Sequence, residues 1–187
     1  MGQTQILFDD VPAAIVYVSA AQSAAVVPYS VAGKSSTSVV AVFNGMRSAP
    51  VSIPVAATVP ALFSADSSGR GQGAILNQDS SYNSAQNPAA KGSVVQLFGT
   101  GEGQTVPPGV DGSIASSIFP KPVAAVSVMF GSTLVTNLPY AGAAPSSLAG
   151  LLQVNVPVPA NAPSGNVPVT LIIGGVSSQT GLTVAVR

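Results

Sequence analysis

Few side chains in this chain can do chemistry. The carboxylates are Asp9, Asp10, Asp66, Asp79, Glu102 and Asp111, and there is no His and no Cys. Asn77, Asp79, Ser81 and Asn83 alternate through one polar stretch. Hard oxygen ligands suit Ca²⁺, so Asn77, Asp79 and Asn83 are candidate ligands, with Asp9-Asp10 as a second set. The stretch lacks the acids and the sharp-turn Gly of an EF-hand loop. Asn, Asp and Ser in this pattern also bond their own backbone at turns, and no metal site is assigned from them. Gly99-Thr100-Gly101-Glu102-Gly103-Gln104 follows a strand-like run. A dinucleotide fingerprint needs G-x-G-x-x-G and a following helix. Here the glycines alternate, and Val106-Pro107-Pro108-Gly109 forbids a helix. The run therefore reads as a tight β-corner in which Gly supplies positive φ.

Nucleophilic and acid–base chemistry find little support. There is no imidazole and no G-x-S-x-G elbow. Nothing in the sequence sets Lys34, Lys91 or Lys121 beside a Ser, or Lys91 or Lys121 into an isopeptide staple with an Asn. A glycosidase needs two carboxylates across a cleft, whereas the six acids lie mostly in turn-like segments. No catalytic residue and no cofactor are expected, and the chain reads as a non-enzyme. Phe8, Phe43, Phe98 and Phe130 sit in strand-like runs and read as core. Tyr82 alone lies in a polar loop, so glycan binding would rest on it. A glycan- or Ca²⁺-binding β-sandwich is the alternative reading of function.

Composition narrows the classes further. The 187 residues carry six basic and six acidic side chains, a net charge of zero and a charged fraction of 6%, against about 25% in an average soluble domain. No basic footprint exists for a phosphate backbone, so nucleic acid is excluded as a partner. Without Cys there is no disulfide framework. The apolar share of 47% is enough for a core, so the chain is not disordered by composition. No charged side chain occurs from Pro122 to Val186. Neutral surfaces associate readily, and self-association through sheet edges or packing with other protein chains is expected. Val11 to Gly33 is charge-free, but Pro12, Gln22 and Pro28 interrupt it, so no membrane insertion is expected. Met1-Gly2-Gln3-Thr4 has no basic segment followed by an apolar one. The start reads as a cut inside a longer protein.

The elements that must position these residues are strands. Gln5–Phe8, Ala14–Val18, Ser38–Phe43, Val51–Val55, Val126–Phe130, Leu152–Val158, Val167–Ile173 and Leu182–Val186 are short apolar or β-branched runs. Asn44-Gly45 and Gly174-Gly175 mark hairpins. The chain also repeats itself. Ile6-Leu7-Phe8-Asp9 matches Val128-Met129-Phe130-Gly131, and Val26-Val27-Pro28 matches Asn155-Val156-Pro157. Val39 to Gly45 matches Val169 to Gly175, and Arg47-Ser48 matches Ser177-Ser178. The second copy opens with Gly92 to Gly103, for which the first has no counterpart. The expected organisation is a first module over 1–62 that lacks its opening strand, a polar linker or arm over 63–91, and a second module over 92–187. The missing strand is expected upstream of Met1 or from another chain. Gly73-Ala74-Ile75-Leu76 is the strand-like piece of the arm and is expected to add an edge strand to one module.

Several phrases resemble one family. Ala74-Ile75-Leu76-Asn77-Gln78-Asp79, Asn83 to Ala90, Phe98 to Thr105, Tyr140 to Pro145, Leu152 to Pro157 and Gly174 to Gln179 are similar to a C-terminal domain found repeatedly in secreted proteins of Solibacter and other Acidobacteria. The Gly-Thr-Gly corner and Pro163 to Val169 also resemble immunoglobulin-like TIG modules. The resemblance covers nearly the whole chain. It implies an all-β fold of two tandem immunoglobulin-like sandwiches and an extracellular or cell-surface location. It implies no activity and no catalytic residue.

Overall fold

The computed structural model describes residues 3–187, and the chain is all-β. Expectations about Met1 and Gly2 lie outside the described residues. Among the described residues there is no α-helix, and the single 3₁₀ turn spans Tyr29–Val31. Frequent Pro and Gly interrupt helical hydrogen bonding, while β-branched runs suit a pleated surface. Among the described residues, no helix is long and apolar enough to cross a membrane.

The first unit holds β1 (Thr4–Phe8), β2 (Val11–Pro12), β3 (Ala14–Val18), β4 (Ser23–Val26), β5 (Ser36–Phe43), β6 (Met46–Arg47) and β7 (Val51–Pro54). One sheet runs β2-β1-β5-β6 with β7 also on β5, and β3-β4 forms a second. Three short strands follow, β8 (Ala61–Leu62), β9 (Gly71–Gln72) and β10 (Ile75–Leu76). The second unit opens with β11 (Val94–Thr100), β12 (Thr105–Val106) and β13 (Lys121–Pro122). It continues with β14 (Val126–Phe130), β15 (Thr133–Val135), β16 (Tyr140–Ala143) and β17 (Leu152–Pro157). It closes with β18 (Gly165–Ile173), β19 (Val176–Ser177) and β20 (Leu182–Val186). Its two main sheets are β10-β11-β17-β16, with β8 also on β11, and β15-β14-β18-β20-β9, with β19 on β18.

The sequence repeat reappears as a repeat of strand register. Phe8 faces Val39, Ile6 faces Ala41 and Thr4 faces Phe43. Phe130 faces Val169, Val128 faces Leu171 and Val126 faces Ile173 in the same order. Asn44 and Gly45 have φ of 50° and 79°, and Gly174 and Gly175 have 59° and 82°. Two successive residues at positive φ are what a two-residue type I′ hairpin requires. The matched serines have a common task. Ser48 Oγ accepts the Ala41 N–H at 3.1 Å and Ser178 Oγ accepts the Leu171 N–H at 3.0 Å, and each serine donates its own N–H to the same residue's carbonyl.

The second unit packs its two sheets over one core. Val95 and Leu97 of β11 and Leu152, Val154 and Val156 of β17 meet Val128, Phe130, Leu171, Ile173, Leu182 and Val184. Each such side chain contributes about 1.5–3 kcal/mol by leaving water. Residues 63–91 are not a free spacer. Ile75 and Ala89 belong to this core, as does Leu62 just ahead of the span, and β10 pairs with β11 as the edge strand expected of the arm. Strand β9 lies parallel to β20. The first unit's core is smaller, with Phe8, Ala13 and Val31 buried and Ile6, Ala25, Val39 and Val55 packed around them.

Candidate functional site

The structure brings Asn77 and Asn83 together and links Asp79 to Asn77 through the Ser81 hydroxyl. Asn83 Nδ2 donates to Asn77 Oδ1 and to the Ala185 carbonyl, both at 2.9 Å. Asn83 Oδ1 accepts the Ala185 N–H at 2.8 Å and Gln72 Nε2 at 2.9 Å. The side-chain amide thus pairs with β20 as a strand residue's backbone would, and its bonding capacity is used up. Asn77 Nδ2 donates to the Asn87 carbonyl at 2.9 Å. Asp79 Oδ1 accepts the Ser81 N–H and hydroxyl, and these bonds hold its carboxyl below the usual carboxylate range. The polar stretch stitches the arm to the second unit.

Asp9 and Asp10 face separate cations. Asp9 Oδ2 accepts Lys34 Nζ and Thr37 Oγ1 at 2.9 Å, and its Oδ1 accepts the Ser38 N–H at 2.8 Å. The Ser38 amide first, then Lys34 and Thr37, lower its pKa to about 2. Asp10 pairs with Arg47. Both acids sit at positive φ, a region where Asp is enriched. Together with Ser38, Val40 and Arg47 they line an open hollow of about 400 Å³.

The Gly corner is a rail for the connecting chain. A Cβ on Gly99 would lie 2.5 Å from the Ala61 carbonyl oxygen, on Gly101 1.8 Å from that of Val59, and on Gly103 2.2 Å from that of Ala57. Gly101 and Gly103 also have φ of 82° and 75°, as expected of the corner. The connector is locked there. The Val59 N–H donates to the Gly101 carbonyl at 3.0 Å, and Thr58 Oγ1 donates to that of Ile173 at 3.0 Å. Gln179 clasps Leu62, accepting its N–H at 3.1 Å and donating to its carbonyl at 2.6 Å.

Beyond the corner, residues 104–118 reach back to the first unit. Asp111 Oδ1 accepts the Tyr29 N–H at 2.9 Å, and Gln104 Nε2 donates to the Tyr29 carbonyl at 3.2 Å. Gly109 backs onto the Tyr29 ring and Gly150 onto Val26, leaving no room for a Cβ at either glycine. A cavity of about 300 Å³ opens here, lined by Tyr29, Glu102, Thr105, Pro108, Ile114 and Ala143 among others. Glu102 is buried, and burial raises its pKa. It is the one acid in the lining, whereas paired-carboxylate hydrolysis needs two. These junction residues are separated by 75 and 82 positions in sequence. No local pattern marks them.

One further site comes from comparing the two units. Strand β17 lies between β16 and the opening strand β11. Strand β4, its counterpart, has β3 on one side and, among the described residues, no strand on the other. Among the described residues, no backbone hydrogen bond outside the β3 pairing involves Ser23–Val26. The inner face shows the same gap. Phe43, Val51 and Ile53 are 56%, 60% and 43% exposed, whereas Ile173, Leu182 and Val184, in the matching registers, are all at 0%. No known family, curated protein or solved structure matches the chain.

Proposed function

We propose that this chain is a non-enzymatic structural module: two immunoglobulin-like, TIG-type sandwiches of a secreted or cell-surface bacterial protein, serving spacing, adhesion or assembly. The observation that carries this reading is the junction. Tyr29, Thr58, Val59 and Leu62 are tied to Asp111, Ile173, Gly101 and Gln179, so the two units are held as one stiff body, as a spacer requires. The exported setting rests on the family resemblance. Small-angle scattering is expected to fit one rigid two-unit particle, and Asp111→Ala combined with Gln104→Ala to broaden the distance distribution. Turnover on a panel of glycosides, esters and peptides would replace the proposal with an enzyme.

Glycan binding is the second reading, favoured by Tyr82, which is 83% exposed. An aromatic face left in water is the kind of surface on which sugars stack. Glycan-array binding that vanishes in Tyr82→Ala would establish it. The Ca²⁺ form of this alternative gains no support, because the amides of Asn77 and Asn83 are engaged with each other and with β20.

A further inference from the structure

We propose that the free edge of β4 accepts one extended strand of the chemistry of Val94–Thr100, antiparallel to β4, with branched apolar side chains at alternate positions. The proposal rests on the structural reading above and names the partner that such a module takes up.

The second unit supplies the template. There β11 pairs antiparallel with β17, Val95 facing Val156 and Leu97 facing Val154. Val95 and Leu97 are fully buried in the core that also covers Ile173, Leu182 and Val184. The first unit repeats the registers of β14, β18, β19 and β20 in β1, β5, β6 and β7, but among the described residues it has no strand in the β11 position. Phe43, Val51 and Ile53 stay exposed, whereas their counterparts lie in a core to which β11 contributes Val95 and Leu97 beside Leu62, Ile75 and Ala89. Unpaired edge groups and exposed apolar side chains together make a template for strand addition.

The uncovered residues also decide the occupant. They carry no charge, so the incoming inner face must be apolar. Strand β4 offers only Ser23, Ala24, Ala25 and Val26. A second copy pairing β4 to β4 would bring the same small side chains and leave the layer thin. Residues of the size of Val95 and Leu97 fill it.

The test uses the whole chain and a synthetic peptide of residues Gly92 to Gly101. The peptide is expected to bind saturably, to slow amide exchange at Ser23–Val26 by about tenfold, and to raise the melting temperature of the first unit by about 5 °C. The same peptide with Val95→Asp and Leu97→Asp is expected to do neither. A second form joins the ten residues ahead of Gln3 through a flexible linker, which removes dependence on peptide solubility. Absence of β4 protection in both forms overturns the proposal. So does β4 protection that grows with protein concentration without peptide, which would put a second copy on the edge. A rigid, catalytically inert protein that ignores the peptide would end this proposal and leave the structural reading standing.

Discussion

Asp9 carries more hydrogen bonds than any other acid in the chain. Its pKa falls from 3.8 to about 2 because the ionised form accepts the Ser38 amide, Lys34 and Thr37. A carboxyl whose folded pKa is depressed stabilises the fold above its unfolded pKa and loses that contribution as pH falls through the folded one. The first unit is therefore expected to lose thermal stability between about pH 4 and pH 2. Asp9→Asn should be less stable at neutral pH and flat across that window. Thermal scans of both proteins at stepped pH check this, and parallel curves would contradict it. Asp9 was legible in the sequence as one of a pair of acids, and its partners were not, since Lys34, Thr37 and Ser38 lie 25 to 29 positions away. The same holds at Asn83. Its polar loop was visible as a possible ligand set, but only its 102-residue link to Ala185 assigns the amide to β20.

At the scale of elements, the arm and the Gly corner show two different needs met by one residue type. Gly69 has φ of 76° and open space around it, whereas Gly101 has φ of 82° and the Val59 carbonyl against it. Gly69→Ala should cost about 1 kcal/mol, from backbone strain alone. Gly101→Ala should cost about 3 kcal/mol or more, because the connector must also move off the corner. Urea unfolding of the two variants separates these contributions, and equal losses would show that the connector yields freely. The corner and both hairpins were readable, because positive φ is a local demand that Gly and Asn meet. The short strands β8 and β9 were not, since two residues carry no periodicity and their partners lie in β11 and β20.

For the molecule as a whole, unequal cores imply unequal stability. Phe130 is sealed in a core drawn from both sheets and the arm, while Phe8 has few buried neighbours. Calorimetry is expected to show two transitions, with the first unit melting at the lower temperature. Phe130→Ala should cost about 3–5 kcal/mol and lower the upper transition. Phe8→Ala should cost less and lower the other. A single transition shifted equally by both variants would mean that the junction couples the units into one cooperative body.

The sequence by itself determined the all-β class, the repeat, the two hairpins and the neutral character of the sheets. These follow from alternation, turn chemistry and side-chain type, which act over a few residues. Only the tertiary structure decided that residues 61–91 complete the second unit, that Tyr29 meets Asp111, and that Gln179 closes on Leu62 across 117 positions. Such contacts form where chain folding brings distant backbone groups into the same unsatisfied space, and nothing in the local pattern of either partner encodes the other.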